Sequence, residues 1–409
     1  MKIESSSDTP LHSHRMPSAV YFLAICQALM MSSTSLMITV SALVGYSLAE
    51  DKSLATLPLS LQFLGLMLTS IPAAYIMSRL GRKIGFIIGS LFGIAGGVIA
   101  VYSILDHSYW GFTFAAFLIG IFNGFGTYYR FAAADITDVT NRPKAISYVL
   151  VGGVIAAFVG PNLANFGRGL FTNEQFAGGF VFVIAFYLVV LLIMTFINIP
   201  HRSLNLSKKT ARPLKVIASQ PTFIVAVICG MLGYAVMSYL MTATPLAMKH
   251  HAHVFDDTAF VIQWHVLAMF APSFVTGNII QRFGVLQVLI VGALLAFLSV
   301  AINLMGHTVW HFWTGLFVLG ISWNFLFIGA TSLLTGTYSL SEKNKAQGMN
   351  DFLVFTMVTI ASLSAGMFQH NYGWKVVNLG ALPLIAIILM SLIWLIRMPE
   401  HKRVNLKAE

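Results

Sequence analysis

The chain has 409 residues, of which 57% are hydrophobic and only 9% are charged. Soluble domains carry about 25% charged residues, so this composition excludes a soluble globular protein, whose water-facing surface needs more charge. Cys26 and Cys229 lie inside apolar runs, which argues against a disulfide framework or a metal-binding cysteine cluster. Residues 1–17 are polar and lack the apolar core of a cleavable signal peptide.

Twelve apolar runs are long enough to cross a bilayer, which takes about 20 mainly apolar residues. Helices are expected because backbone polar groups in lipid must pair within their own segment. The loops leave no room for a soluble catalytic domain, and metalloprotease, nucleophile-elbow and P-loop motifs are absent, so we expect neither an enzyme nor a cofactor. The runs cover residues 19–47, 54–78, 83–104, 109–131, 145–167, 176–198, 221–246, 258–281, 285–305, 309–336, 346–369 and 374–397.

One basic stretch, residues 201–220, separates the first six runs from the last six. The sequence therefore predicts an all-α integral membrane protein whose twelve transmembrane helices form two pseudo-symmetric six-helix bundles. We assign residues 1–200 to the N-terminal bundle, 201–220 to a cytoplasmic linker and 221–409 to the C-terminal bundle.

Lysine and arginine are distributed unequally between the two sides of the predicted membrane. If the N-terminus is cytoplasmic, all but four of the 24 basic residues fall on the cytoplasmic side. This asymmetry predicts cytoplasmic N- and C-termini in a plasma membrane, and a bacterial inner membrane fits best. The basic residues flank membrane helices, so they indicate contact with anionic lipid and not with nucleic acid. The four exceptions are Lys52, Arg168, Lys249 and Lys375.

Two short segments half a chain apart repeat one pattern. Residues 74–83 and 277–284 each contain a small residue followed by polar-Arg-x-Gly at the end of an apolar run, and their glycines, Gly81 and Gly284, are 203 positions apart. Gly120 and Gly320 repeat at 200. Such a repeat points to a duplicated helix bundle with a binding site between its halves.

At these residues the chain resembles the major facilitator superfamily. The loop between the second and third helices of that family has the pattern Gly-x-x-x-Asp-Arg-x-Gly-Arg-Lys. Residues 74–83 follow it except that Ala74 stands at the first glycine and Ser78 at the acidic position. Gly160-Pro161 in the fifth run matches a feature of many antiporters, and Asn123-Gly124 matches part of the pattern in the fourth helix. The resemblance implies a carrier that works by alternating access, in many members coupled to protons.

The resemblance also implies that the first, fourth, seventh and tenth helices line the transport path. Polar and aromatic residues there are candidate substrate contacts, although serine, threonine and asparagine also join helices by hydrogen bonds. Arg130 can hold a polar or anionic group of the substrate, or reach the cytoplasmic surface and pair with Asp135 or lipid. The candidates are Gln27, Ser33, Asn123, Tyr129, Arg130, Tyr234, Tyr239, Trp323 and Asn324.

A second set of candidates concerns gating and protons. The resemblance implies that Asp351, near the start of the eleventh helix, meets Arg79 or Arg82 and locks the halves on the cytoplasmic side. Helix capping and proton carriage are the alternatives for Asp351. His265 is either a hydrogen-bonded core residue or a proton relay. The gate candidates are Arg79, Arg82, Asp135, Arg282 and Asp351, and the proton candidates are His265 and Asp351.

Eight of the twelve histidines lie on or near the predicted outer side. The run 249–253, followed by Asp256 and Asp257, could bind a divalent metal or form a flexible loop, and we assign no metal site.

The runs that should line the path have no acidic residue at mid-membrane depth. A carrier of cationic drugs would need a buried carboxylate, so we expect a small neutral or anionic organic solute such as a vitamin, a carboxylate or a siderophore-like chelate, moved with protons by a monomer. The alternatives are drug or metabolite efflux by proton antiport and a membrane sensor that does not transport.

Overall fold

A computed structural model describes residues 16–138, 142–171, 176–199, 212–339 and 341–399. Every regular element in these ranges is helical, including a short 3₁₀ turn at Lys52–Leu54. The helices are α1 Ser18–Leu48, α2 Leu57–Leu80, α3 Arg82–Leu105, α4 Tyr109–Gly126, α5 Tyr129–Asp135, α6 Arg142–Leu150, α7 Gly152–Gly167, α8 Ala177–Phe196, α9 Leu214–Ala218, α10 Pro221–His250, α11 Phe255–Phe270, α12 Ser273–Phe283, α13 Val285–Met305, α14 Val309–Thr335 and α15 Lys343–Arg397.

The apolar helices are long enough for the predicted crossings. Ten helices of the described chain can each span a membrane, if α4 is joined with α5 and α6 with α7, and the pair α11 and α12, bent by 44°, makes an eleventh. Helix α15 has 55 residues and leaves helical geometry at Gly373 (φ 75°), so it divides into two lengths that can each cross. The structure is therefore consistent with twelve spans, which we number in chain order. Helices α1 to α3 are spans 1 to 3, α4 with α5 is span 4, α6 with α7 is span 5 and α8 is span 6. Helix α10 is span 7, α11 with α12 is span 8, α13 and α14 are spans 9 and 10, and the two lengths of α15 are spans 11 and 12.

The helices pack as two bundles, which confirms the predicted fold class. One apolar core lies mainly among α1–α8, and the others lie mainly among α10–α15. Between the bundles, α2 packs against α15 and α7 against α11, so the second and fifth spans of one half meet the fifth and second spans of the other. The proposed boundary at 201–220 remains a prediction; α9 lies within that range.

The repeat seen in the sequence is also present in the backbone and in the packing. Gly81 and Gly284 both adopt φ near 90°, which favours glycine, and each separates two consecutive spans. Gly120 packs against the backbone carbonyl of Gln62, and Gly320 packs in the same way against that of His265. The two halves thus use the same close helix contact between their second and fourth spans.

We call the side where α8 ends and α9 begins the linker side, and the opposite side the far side. At the linker side Arg212, just before α9, forms a two-pronged ion pair with the buried Glu342 at the start of span 11, with both N···O distances 2.8 Å. The backbone N–H of Ser339 also donates to Glu342, at 2.9 Å. Arg212 is therefore attached to the C-terminal bundle.

Candidate functional site

Polar and aromatic contacts join the two halves at the far side. Arg168, at the end of span 5, lies 3.6 Å from a carboxylate oxygen of Asp256 in span 8, and its guanidinium lies over the ring of Phe255 at 4.8 Å. The Lys249 ammonium in span 7 lies over the ring of Tyr46 in span 1 at 4.3 Å. Each contact crosses between the bundles, so each holds the far side closed.

Two further contacts extend this closure towards the membrane interior. The Thr56 hydroxyl donates to the carbonyl of Leu363 at 3.3 Å and accepts from the backbone N–H of Gly366 at 3.2 Å, which joins span 2 to span 11. Asn162 donates to the Gln263 side-chain carbonyl at 2.7 Å, which joins span 5 to span 8. Spans 2 and 5 are thus both fixed to the opposite half.

The predicted gate residues at the linker side are engaged within their own halves. Arg82 forms an ion pair with Asp135 at 2.5 Å, both in the N-terminal bundle. Arg79 lies over the ring of Tyr75 at 5.5 Å, and the guanidinium of Arg282 lies 5.3 Å from the neighbouring ring of Phe283. The expected contact of Asp351 with Arg79 or Arg82 is not made in this arrangement, because Arg82 is already paired.

Arg130 is the basic group of the N-terminal half that attracts Asp351. The two side chains interact electrostatically but are not within ion-pair distance, and Asp351 accepts a hydrogen bond from Asn350 at 3.1 Å. Arg130 Nε is buried without a hydrogen-bond partner, and its guanidinium lies over the ring of Phe131 at 4.8 Å. The Lys343 ammonium at the start of span 11 also lies over the ring of Phe131, at 5.7 Å, and joins the halves on this side. Among the described residues no ion pair joins the halves here, in contrast to the far side, so the linker side is held less tightly.

An aromatic cluster lies near the middle of spans 7, 8, 10 and 11. Tyr234 is the fourteenth of 30 residues in α10, and Trp323 is the fifteenth of 27 in α14. The Tyr234 ring lies 5.3 Å from Trp323, 5.8 Å from Phe327 and 6.0 Å from Phe355. Trp323 stacks on Phe327 at 4.9 Å and meets Phe270 at 5.9 Å. We call these five residues the aromatic cluster.

The aromatic cluster contacts the N-terminal half and lies close to Asp351. The ring of Phe270 packs against Gly153 in span 5, so the cluster contacts the N-terminal bundle. Phe355 follows Asp351 by four residues, so both lie on the same face of α15. The carboxylate of Asp351 therefore lies about one turn from the cluster, towards the linker side.

Two polar atoms near this depth have no hydrogen-bond partner. Both Trp323 Nε1 and Asn123 Oδ1 are buried and unpaired. The amide nitrogen of Asn123 donates to the hydroxyl of Thr34 in span 1, at 3.2 Å. Gln27, also in span 1, is buried as well.

Several other predicted contacts are used within a single bundle. Asn324 donates to the carbonyl of Met269 and to Ser273 Oγ, both at 2.7 Å, and accepts from Thr276 at 2.6 Å. These three bonds hold span 10 against span 8, so we do not include Asn324 in the site that we propose.

Tyr129 and Ser33 lie inside the N-terminal bundle. The Tyr129 ring is fully buried 4.5 Å from that of Phe86, and Ser33 is hydrogen-bonded to the buried Tyr187. Tyr239 is almost completely buried, with its ring 6.3 Å from that of Phe368. We leave these three predicted residues out of the proposed site as well.

Comparison with known proteins places the fold in a family. The sequence profile of the Major Facilitator Superfamily matches residues 21–261 and again 226–409. The chain belongs to the major facilitator superfamily. The resemblance in the sequence is thereby confirmed, and so is the expectation of an integral membrane transporter instead of an enzyme.

Among its relatives, this superfamily member is 42% identical to the riboflavin transporter RfnT of Brucella anthropi, over 91% of this chain and 94% of the relative. It is 26% identical to the uncharacterized transporter YddS of Bacillus subtilis, over 89% of this chain and 88% of the relative. The fold resembles a D-xylose-proton symporter (TM-score 0.73, 14% identity, 95% and 99% of the two chains) and the nucleoside transporter NupG (0.70, 14%, 93% and 99%).

His265, a predicted proton candidate of this superfamily member, is fully buried. Its Nδ1 is 2.7 Å from the carbonyl of Leu316, a bond that joins span 8 to span 10. On the far side the ring of His251 stacks on that of His307 at 4.1 Å, and burial and the neighbouring histidines lower the pKa of His251. The described residues contain no group of three or more His, Cys, Asp or Glu placed to hold a metal ion.

Sequence reasoning missed three members of the aromatic cluster, Phe270, Phe327 and Phe355. Phenylalanine in a membrane helix is found facing lipid, in the core and along a path, so its identity alone does not indicate which of these applies. Spacing offers a weak one, because Phe327 follows Trp323 by four residues and so shares its helix face.

Proposed function

We propose that this chain transports riboflavin or a close flavin relative by alternating access. The observation that carries the proposal is the 42% identity to a riboflavin transporter over nearly the full length of both chains. The absence of acidic residues from helices α1, α4, α10 and α14 supports it, because a neutral solute such as riboflavin needs no balancing carboxylate.

The aromatic cluster supports a flat heteroaromatic cargo. An isoalloxazine ring presents two large π faces, and aromatic side chains favour offset or edge-to-face contacts with such rings. Pockets for small molecules are mostly apolar with a few polar groups that fix orientation. Tyr234 and Trp323 supply apolar faces with polar edges, and Gln27 and Asn123 lie in spans expected to line the same path.

We further propose that the linker side is cytoplasmic, in a bacterial inner membrane, and that the protein acts as a monomer. Closure at the far side and weaker contact at the linker side then correspond to an inward-facing state. In the outward-facing state Asp351 and Arg130 approach each other and close the linker side, while Arg82 stays with Asp135. Surface labelling of single cysteines on both sides tests this orientation.

Proton coupling is part of the same proposal, with Asp351 as the stronger candidate. Asp351 keeps exposed surface, whereas His265 is fully buried and bonded to a carbonyl. Pairing with Arg130 in one state and exposure to water in the other would make proton binding to Asp351 depend on the conformation. The remaining candidates, Arg79 and Arg282, are assigned to anchoring at the linker-side surface.

The test is uptake of labelled riboflavin by proteoliposomes that contain the purified protein. We expect saturable uptake and counterflow that excess unlabelled riboflavin blocks, with xylose and uridine as solutes that do not compete. An inward proton gradient should drive accumulation, and collapsing it should leave only equilibration. Absence of both flux and counterflow would refute the proposal, and would leave efflux of another solute or a sensor without transport.

A further inference from the structure

Asn123 and Trp323 occupy the same position in the two halves. They are 200 residues apart, as are Gly120 and Gly320, and each is three residues after its glycine. Both are the fifteenth residue of their span, counted from Tyr109 and from the matching start of α14. Because each glycine fixes its helix against the second span of its own half, the two side chains leave their helices in the same orientation.

Each side chain points towards the first span of its own half. Asn123 donates to Thr34 in α1, and the ring of Trp323 packs against Tyr234 in α10. Spans 1 and 7 pack against each other across the boundary between the bundles. The pseudo-symmetry therefore brings residues 123 and 323 to opposite sides of one central path.

The two residues offer complementary hydrogen-bonding atoms. The bond to Thr34 uses the amide nitrogen of Asn123 and leaves its Oδ1 as a free acceptor, whereas the indole of Trp323 is a donor only. Asn123 is 3% exposed and Trp323 is 6% exposed, so bulk water does not reach either atom. An unpaired polar group at membrane depth is costly, and a bound ligand relieves that cost.

We propose that Asn123 and Trp323 together bind the imide edge of the substrate. This inference rests on the proposed function. The pyrimidine ring of a flavin carries an imide N–H between two carbonyl groups. Asn123 Oδ1 accepts from the imide N–H, and the indole N–H of Trp323 donates to an adjacent carbonyl oxygen, while the ring system lies against the aromatic cluster.

This assignment makes the pair the determinant of substrate specificity. A site built to hydrogen-bond a substrate rejects analogues that lack the group, because its own polar atoms then stay buried and unpaired. Flat aromatic solutes without an imide edge are therefore poor substrates even though the aromatic cluster accepts their rings. One hydrogen-bonding atom comes from each half, so both bonds form only when the halves enclose the ligand together.

The test compares riboflavin with its N3-methyl derivative, in which a methyl group replaces the imide hydrogen. Binding to the purified protein is followed by quenching of flavin fluorescence. The unmodified protein should bind riboflavin at least tenfold more tightly than the derivative. Asn123→Leu should weaken riboflavin binding about tenfold and leave the derivative unchanged, since the derivative has no proton to donate.

Trp323→Phe keeps an aromatic ring but removes the donor, so it should weaken the binding of both ligands by about five- to tenfold. Trp313→Phe is the matched control, because Trp313 lies in the same helix and its indole N–H is also buried and unpaired. That control should bind both ligands as the unmodified protein does. Asn123→Ala replaces Asn123→Leu if the latter fails to fold, as judged by its melting temperature.

Three outcomes would overturn the inference. Equal weakening of both ligands by Asn123→Leu would assign Asn123 to helix packing. If Trp323→Phe weakened binding no more than Trp313→Phe does, the indole N–H of Trp323 would not be a donor to the substrate. If the unmodified protein bound both ligands equally tightly, the imide N–H would not be recognised at all. If the unmodified protein binds neither ligand, the proposed function itself fails. The three outcomes above all require that it binds riboflavin, so they refute only the inference about Asn123 and Trp323.

Discussion

Adding one methyl group at the repeated glycine contact should destabilise the protein, and more in the first half than in the second. A Cβ at position 120 would lie 2.1 Å from the carbonyl oxygen of Gln62, and one at position 320 would lie 2.6 Å from that of His265. Both neighbours are backbone atoms, which cannot move aside as a flexible side chain does. To restore an ordinary contact, the helices have to separate by about 1 Å.

Two terms set the magnitude. Overpacking a close contact costs about 1–3 kcal/mol, whereas alanine is favoured over glycine inside a helix by about 1 kcal/mol. The two terms leave a net loss of about 0–2 kcal/mol. Gly120→Ala should lie near the upper end of that range, and Gly320→Ala lower because its clash is 0.5 Å less severe. In a large domain 1 kcal/mol corresponds to roughly 2–4 °C in melting temperature.

Thermal unfolding of the detergent-purified variants measures this effect. Gly277→Ala is the matched control, since no atom lies within 4 Å of a Cβ built there, and its melting temperature should stay constant or rise. The reasoning would be refuted if Gly120→Ala unfolded at the same temperature as Gly277→Ala. A larger loss for Gly320→Ala than for Gly120→Ala would also contradict it.

Three further predictions concern charged groups. The Arg212 guanidinium holds the pKa of Glu342 well below its ordinary 4.5, so the ion pair stabilises the protein fully above about pH 4.5 and progressively less as pH falls further. Glu342→Gln should therefore lower the melting temperature at pH 7 and make the melting temperature depend less on pH in the acid range. Asp256→Asn, which removes a partly exposed partner of Arg168, should open the far side by no more than about fivefold, measured as the labelling rate of a cysteine placed there. Asp351→Asn should abolish accumulation driven by a proton gradient while riboflavin counterflow continues; loss of both activities would mean a structural role for Asp351.

The helices could be predicted closely from the sequence because membrane depth constrains both length and composition. The run 285–305 matches α13 residue for residue, and the run 309–336 ends one residue after α14. The repeated glycines could also be predicted, because a positive φ and a close helix contact both require the smallest residue.

The partners of the charged residues could not be predicted in the same way. Asp135 is a gate candidate and a possible partner of Arg130 in the sequence; in the structure its ion pair is with Arg82, inside the N-terminal bundle, and its gate role stays a prediction. The fourth run looks continuous in sequence, whereas the structure interrupts its regular helix between Gly126 and Tyr129. Apolar patterning does not reveal such a break.

Polar residues inside the spans presented a second limit. Asn123 and Asn324 look equivalent as asparagines in path-lining helices, yet Asn324 makes three hydrogen bonds to span 8 whereas Asn123 keeps an unpaired oxygen. Their difference depends on which atoms the neighbouring helix presents at that depth. A single sequence does not contain that information, because it is a property of the packed pair.

The unequal bonding of the two membrane faces has a consequence for the order of events in a transport cycle. Contacts such as Thr56 with Gly366 and Lys249 with Tyr46 must all break before a solute can enter from the far side. Entry from the linker side separates Lys343 from Phe131 but, within the described residues, breaks no ion pair between the halves. We therefore expect the empty carrier to favour the conformation that opens to the linker side, and its return to the opposite conformation to be the slower step. Net flux still follows the concentration gradients, so this bias sets the speed of the cycle and not its direction.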